Sequence, residues 1–162
     1  MEQFAPTHRN FVSYIDKSRT YYLDKGYGNP YRWAMHNASP FTPLTKPLAE
    51  SRVGLVTTAA LDEEGGRDRR VFAAPTMPTP EPLYTHHLSW HKKATHTDDL
   101  ETYLPIRTVQ TLADGGRIQS LSPRFYGVPT KFSQRLTKEH HAPAILDYCR
   151  EDEVDVALLV AL

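Results

Sequence analysis

The chain has 162 residues, 19 of them Lys or Arg and 19 Asp or Glu, so its formal charge is zero. That balance argues against electrostatic capture of nucleic acid or of an anionic membrane surface. A single cysteine excludes both an intrachain disulfide framework and a cysteine-rich zinc site.

The length suits one domain over residues 1–162, with an N-terminal helix and a proline-rich arm in about residues 1–50. No run is long enough and apolar enough to cross a bilayer. The N-terminal MEQFAPTHRN lacks an apolar signal core. A cytoplasmic protein is expected.

Asn10 suits the N-cap of a helix from about Phe11 to Lys25. Phe11, Tyr14, Ile15, Ser18, Tyr22 and Leu23 approximate its buried stripe, and Gly26 and Gly28 offer a stop. Asn29 to Pro47 mixes prolines with Tyr31, Trp33 and Phe41. It reads as an extended arm lying on its own core or on a second subunit. Ser51 to Leu61, SRVGLVTTAAL, is the first strong strand. Its near-continuous apolar character is that of a buried parallel strand. Gly54 inside it marks a close approach of backbone. Thr57 and Thr58 fall near its carboxyl end, where open α/β sheets bind ligands. Threonine also simply favours β structure. An acidic, glycine-bearing turn follows at Asp62 to Gly66.

Val71 to Ala73 reads as a short strand, Pro75 to Pro82 as an extended connection, and Leu83 to Leu88 as another strand. Pro105 opens a helix with Ile106, Val109 and Leu112 or Ala113 at helical spacing, ended by Gly115-Gly116. Ile118 to Leu121 suits a short strand, and Ser122 to Thr130 is rich in turn residues. There Arg124 stands beside Phe125 and Tyr126, placed either to clamp a carboxylate or to stack on a ring. A last helix spans Thr137 to Glu151, or begins at His140 to Ala142 because of Pro143. Cys149 falls on its apolar face, where a buried thiol is inert.

Val154 to Leu162, VDVALLVAL, is the most hydrophobic segment and reads as a central strand buried on both faces. The order of elements predicts an α/β fold: a mostly parallel sheet flanked by helices, a Rossmann-like three-layer sandwich. Val53 to Val56 and Val156 to Val160 are its expected interior strands. A sheet stopping at its best core strand is expected to be completed by another chain, or to belong to an interrupted polypeptide.

Tyr84 to Asp99, YTHHLSWHKKATHTDD, holds four of the eight histidines. Neutral imidazole is a common metal ligand. In a helix His87 and His91 would share a face. An extended chain would send His86 and His87 to opposite faces. His87, His91, His96 and Asp98 are the candidate ligands of a divalent metal, zinc or iron, and Asp98 or Asp99 can instead orient an imidazole. At least two of these histidines are expected to line one pocket at the carboxyl end of the sheet. A solvated loop accounts for the same residues. No zinc-protease pattern is present.

Four segments together carry a resemblance. They are FVSYIDKSRTYYLDKGYGNPYRWA, PFTPLTKPLAESRVGLVTTAAL, ATHTDDLETYLPIRTVQTLADGGRIQSLSPRFYGVPT and REDEVDVALLVAL. In this order the chain resembles the glycine/sarcosine/betaine reductase selenoprotein B family, to which D-proline reductase subunits are related. The resemblance implies an α/β fold and reductive cleavage of a small amino-acid-type substrate by a selenocysteine or cysteine. In the family that residue follows a buried strand like Val154 to Leu162. Here it would lie just beyond Leu162, as a selenocysteine codon read as a stop implies.

Two functions are carried forward. The first is a selenoprotein B-like reductase component, or its N-terminal part. His86, His87 and His96 are then its proton-transfer candidates, and Arg124, Thr57 and Thr58 bind the substrate. The second is a non-catalytic oligomeric subunit or metal-binding module of the same family. The expected partners are a second copy or a partner reductase subunit.

Overall fold

The computed structural model describes residues 20–26, 37–38, 42–68, 70–88, 96–130 and 133–162. The chain divides into two compact units, Met1–Phe41 and Thr42–Leu162. In the first, residues 20–24 are helical and the Gly26 N–H closes the turn on the Leu23 carbonyl at 2.9 Å. Tyr21 and Tyr22 meet edge to face. The expected helix over 11–19, and residues 29–36 and 39–41 of the expected arm, lie outside the described residues.

The second unit is a mixed α/β sheet of five strands with helices. Its organising strand is β1, Arg52–Thr57. β1 pairs in parallel with β3 (Ser120–Leu121) and β4 (Arg124–Gly127) along one edge, and with β5 (Val156–Val160) along the other. β2, Phe72–Pro75, runs antiparallel to β4. The expected mostly parallel sheet is therefore mixed. The reason is the 58–71 connection, which holds only a short helix and does not cross back over the sheet, so β2 starts opposite Gly127 at the edge where β1 ends.

Val53 to Thr57 are all buried, because β1 has a strand on each side. Alternate side chains along a strand point to opposite faces. Val53 and Leu55 accordingly join a cluster with Leu104, Ile106, Val109, Ile118 and Phe125. Val56 joins a second cluster with Tyr126 and Cys149, with Ile145 and Tyr148 packed against it. Gly54 faces this second cluster. A Cβ there would lie 3.1 Å from both Tyr126 Cε2 and Val154 Cγ1, so the close approach expected at Gly54 is real.

The helix α2, Ile106–Asp114, forms where the periodicity predicts it, with Ile106 and Val109 buried. Its first turn is capped from a distance. The Glu101 carboxylate accepts from the N–H groups of Arg107 at 3.0 Å and Thr108 at 2.9 Å. Burial alone would raise the Glu101 pKa, but these bonds outweigh it and hold the carboxyl below its ordinary range. The helix α3, Ala142–Glu151, is preceded by a helical turn at Gln134–Leu136 and a π-helical turn at Thr137–His141. Pro143 offers no N–H to the carbonyl four residues back. The backbone widens just before it, and the Ala142 N–H reaches Thr137 O instead.

Three expectations are corrected. Ser122 to Thr130 is not all turn, because Arg124–Gly127 is a strand gripped by β1 and β2. Asp62 to Gly66 runs into a helix, α1, Glu63–Asp68. The expected strand at Leu83 to Leu88 reduces to one bridge, Ala60 to Tyr84, followed by a turn at His86 and His87.

The largest correction concerns β5. It pairs with β1 alone among the described residues, so it is an edge strand and not an interior one. Leu159 is 73% exposed and Leu158 43%. An unbroken apolar run is what burial on both faces requires, but neighbours on both sides must supply that burial.

Candidate functional site

The parallel strands place Thr57 and Thr58, Gly127 and Val128, and Val160 at one edge of the sheet. The Thr57 side chain is buried and its Oγ1 accepts from the Ala59 N–H at 3.3 Å. It closes the turn that leaves β1. Thr58 is less buried, and its Oγ1 accepts from the Leu162 N–H at 3.0 Å. This bond ties the exit of β5 to the exit of β1.

A small cleft opens here. Its walls include Thr58, Ala59 and Ala60 after β1, Gly65 and Gly66 on α1, and Val128 and Pro129 after β4. Arg70, Phe72 and His87 complete it. The free space is about 10 Å³, room for one water molecule. A broader recess of about 220 Å³ adjoins it, sharing Gly65, Arg70 and Phe72 and adding Leu61, Asp62, Glu64 and Asp68. The walls of the cleft mix apolar groups with the Arg70 guanidinium and the His87 imidazole.

His87 reaches the cleft through three local contacts. Ala60 and Tyr84 exchange backbone hydrogen bonds at 3.0 and 2.8 Å, which brings the segment back to the end of β1. The Leu83 N–H donates to the hydroxyl of the fully buried Tyr103 at 3.1 Å. The Tyr84 ring then lies almost parallel to the His87 imidazole, with centroids 5.5 Å apart and planes 5° apart. Thr85 Oγ1 meets Thr97 Oγ1 at 2.7 Å and ties the two ends of the histidine-rich stretch together.

The other candidates are placed as follows. His86 is exposed beside Tyr84, with ring centroids 5.7 Å apart. His96 is exposed too, and its Nδ1 lies 3.4 Å from Asp98 Oδ2, a carboxylate that is itself 88% exposed. Asp99 caps a short 3-10 turn at Leu100–Thr102, accepting from the Glu101 N–H at 3.0 Å. His91 lies outside the described residues. Of the described candidates, Thr58 and His87 share the cleft. His86, His96, Asp98 and Asp99 are not among its walls. Among the described residues no three His, Cys, Asp or Glu side chains converge as metal ligands. The zinc or iron set of His87, His91, His96 and Asp98 therefore rests on sequence spacing.

Arg124 is elsewhere. It begins β4 and so stands a strand's length from Thr57 and Thr58. Its Nε donates to both Asp152 oxygens at 3.1 and 2.9 Å, and Nη2 donates to Glu151 Oε2 at 2.8 Å. The guanidinium also lies 5.4 Å from the centre of the Tyr148 ring. These carboxylates raise the Arg124 pKa still further. A substrate carboxylate at this position would have to displace two carboxylates of the chain itself.

Gly65, Gly66, Arg70, Phe72, Val128 and Pro129 line the cleft without standing out in the sequence as site residues. One signal pointed there: two adjacent glycines inside the helix-length segment EEGGRD. Comparison with protein-family models, curated sequences and solved structures finds no match.

Proposed function

We propose that this chain is a component of a cytoplasmic reductase of the selenoprotein B type, acting on a small amino-acid-type substrate held in the recess of about 220 Å³ that adjoins the cleft beside Thr58. The reaction class comes from the resemblance carried by the four segments. One structural observation supports the place. The Leu162 N–H to Thr58 Oγ1 bond of 3.0 Å directs the exit of β5 to the wall of the cleft. A selenol or thiol on a segment following Leu162 would enter at that edge. His87 stands in the same walls, and a nearby histidine favours the ionised nucleophile. The two clusters fed by opposite faces of β1 support reading the sheet as a Rossmann-like three-layer sandwich.

The test is to express the chain with whatever is encoded in frame after Leu162, reading a stop codon there as selenocysteine. Reductive Cα–N cleavage is then assayed with a dithiol donor, as amine released from glycine, sarcosine and betaine and as the ring-opened ω-amino acid formed from D-proline. Activity lost on replacing the selenocysteine or cysteine by alanine is the expected result. A continuation with neither residue overturns the proposal.

The second reading, an oligomeric subunit without catalysis, is favoured by the exposed Leu158 and Leu159 on β5. Apolar side chains on a strand edge gain stability by being covered. Light scattering is expected to report a homo-oligomer at high micromolar concentration. A monomer there removes this reading.

A further inference from the structure

Glycine in a helix interior is less stable there than alanine, yet α1 carries two in six residues. Gly66 has a local reason. A Cβ at Gly66 would lie 2.8 Å from Tyr84 Cδ1 and Cε1 and 3.2 Å from His87 Nδ1. Only a residue without a side chain lets Tyr84 and His87 settle against this helix. On its other side the Tyr84 strand position is pinned to Ala60 by the paired backbone bonds.

We infer that Gly66 and Tyr84 are positioning residues for His87, holding its imidazole in the wall of the cleft by the parallel ring stack. The inference rests on the reading that this cleft is the functional site. Its test reads the imidazole and not turnover, so the reductase proposal can fail without touching it.

Tyr84→Phe keeps the ring, Tyr84→Leu removes it, and Gly66→Ala pushes against it. In the parent and in Tyr84→Phe, the His87 imidazole protons should show the same upfield ring-current shift by NMR. In Tyr84→Leu that shift should vanish. The rate of His87 carbethoxylation by diethylpyrocarbonate, followed by mass spectrometry, should rise about two- to tenfold in Tyr84→Leu, the weight of one lost aromatic pair. Gly66→Ala should move both readouts in the same direction, and it serves as the test should Tyr84→Leu fail to fold. An unchanged His87 signal and rate in Tyr84→Leu overturns the inference. So does a Tyr84→Phe protein that behaves like Tyr84→Leu, because the ring would then not be the positioning element.

Discussion

Leu55→Ala is expected to lower the unfolding free energy by about 3 kcal/mol, while Leu159→Ala lowers it by less than about 1 kcal/mol. Both residues are leucines in apolar strands of one sheet. Leu55 is fully buried in β1, flanked by β4 and β5, and packs in the cluster with Leu104, Ile106 and Phe125. Truncating it leaves a cavity that the surrounding close-packed side chains fill only in part. Leu159 is 73% exposed on the edge strand, so it has little contact to lose. The same logic separates the charged variants. Leu55→Asp should not fold, since an unpaired charge in that cluster has no partner. Leu159→Asp should remain soluble and melt cooperatively. Urea denaturation of the four proteins checks this. Equal losses for the two alanine variants would mean that β5 is covered on both faces.

Asp152→Ala should lower the unfolding free energy by about 2 to 3 kcal/mol. Asp152 is the hub of a polar network at the amino end of β4. It accepts from Arg124 Nε and, at 2.7 Å, from the hydroxyl of the fully buried Tyr126. Tyr126 in turn meets Ser122 Oγ at 3.0 Å. Removing the carboxylate leaves a buried phenol short of an acceptor and a partly buried guanidinium short of the anion that takes its Nε. Tyr126→Phe is milder, about 1 kcal/mol, because Asp152 keeps Arg124.

The pH dependence follows from the same bonds. Burial by itself would raise the Asp152 pKa, but the hydrogen bonds from Arg124 and Tyr126 outweigh it and hold the carboxyl below its ordinary range. A group depressed in the folded state contributes its full stability above its unfolded pKa and loses it as pH falls through the folded one. The parent should therefore lose stability below about pH 4, the ordinary aspartate range. Asp152→Asn should flatten that part of the profile. Thermal melts from pH 6 down to pH 2 measure the difference, and parallel slopes for parent and variant would reject the assignment.

Several elements were legible because their signal is local. β1 announces itself by Val53, Leu55, Val56 and Thr57 around a single glycine, and α2 by Ile106, Val109 and Ala113 behind Pro105. β4 was hidden. Arg124 to Gly127 is four residues long between Pro123 and Pro129, so the flanks read as turn. Its strand character comes from pairing to β1 on one side and β2 on the other. Of the site, Thr58 was legible as the end of a buried strand and His87 as part of a dense histidine stretch. The stretch itself does not gather its described members at one place. A reversal at His86 and His87 puts His87 at the cleft, while His96 stands exposed beside Asp98.

The amino-acid sequence alone determined the α/β class, β1 as a buried strand and the two longer helices, because side-chain period and turn chemistry act over a few residues. Only the tertiary structure decided that VALLV is an edge, that Arg124 binds Asp152 28 residues away, and that Thr58, Gly66, His87 and Val128 share one cleft. Those outcomes depend on which strand lies beside which. A run of valine and leucine states what a segment prefers to bury, not what arrives to bury it. An arginine likewise carries no local mark of the carboxylate that will claim it.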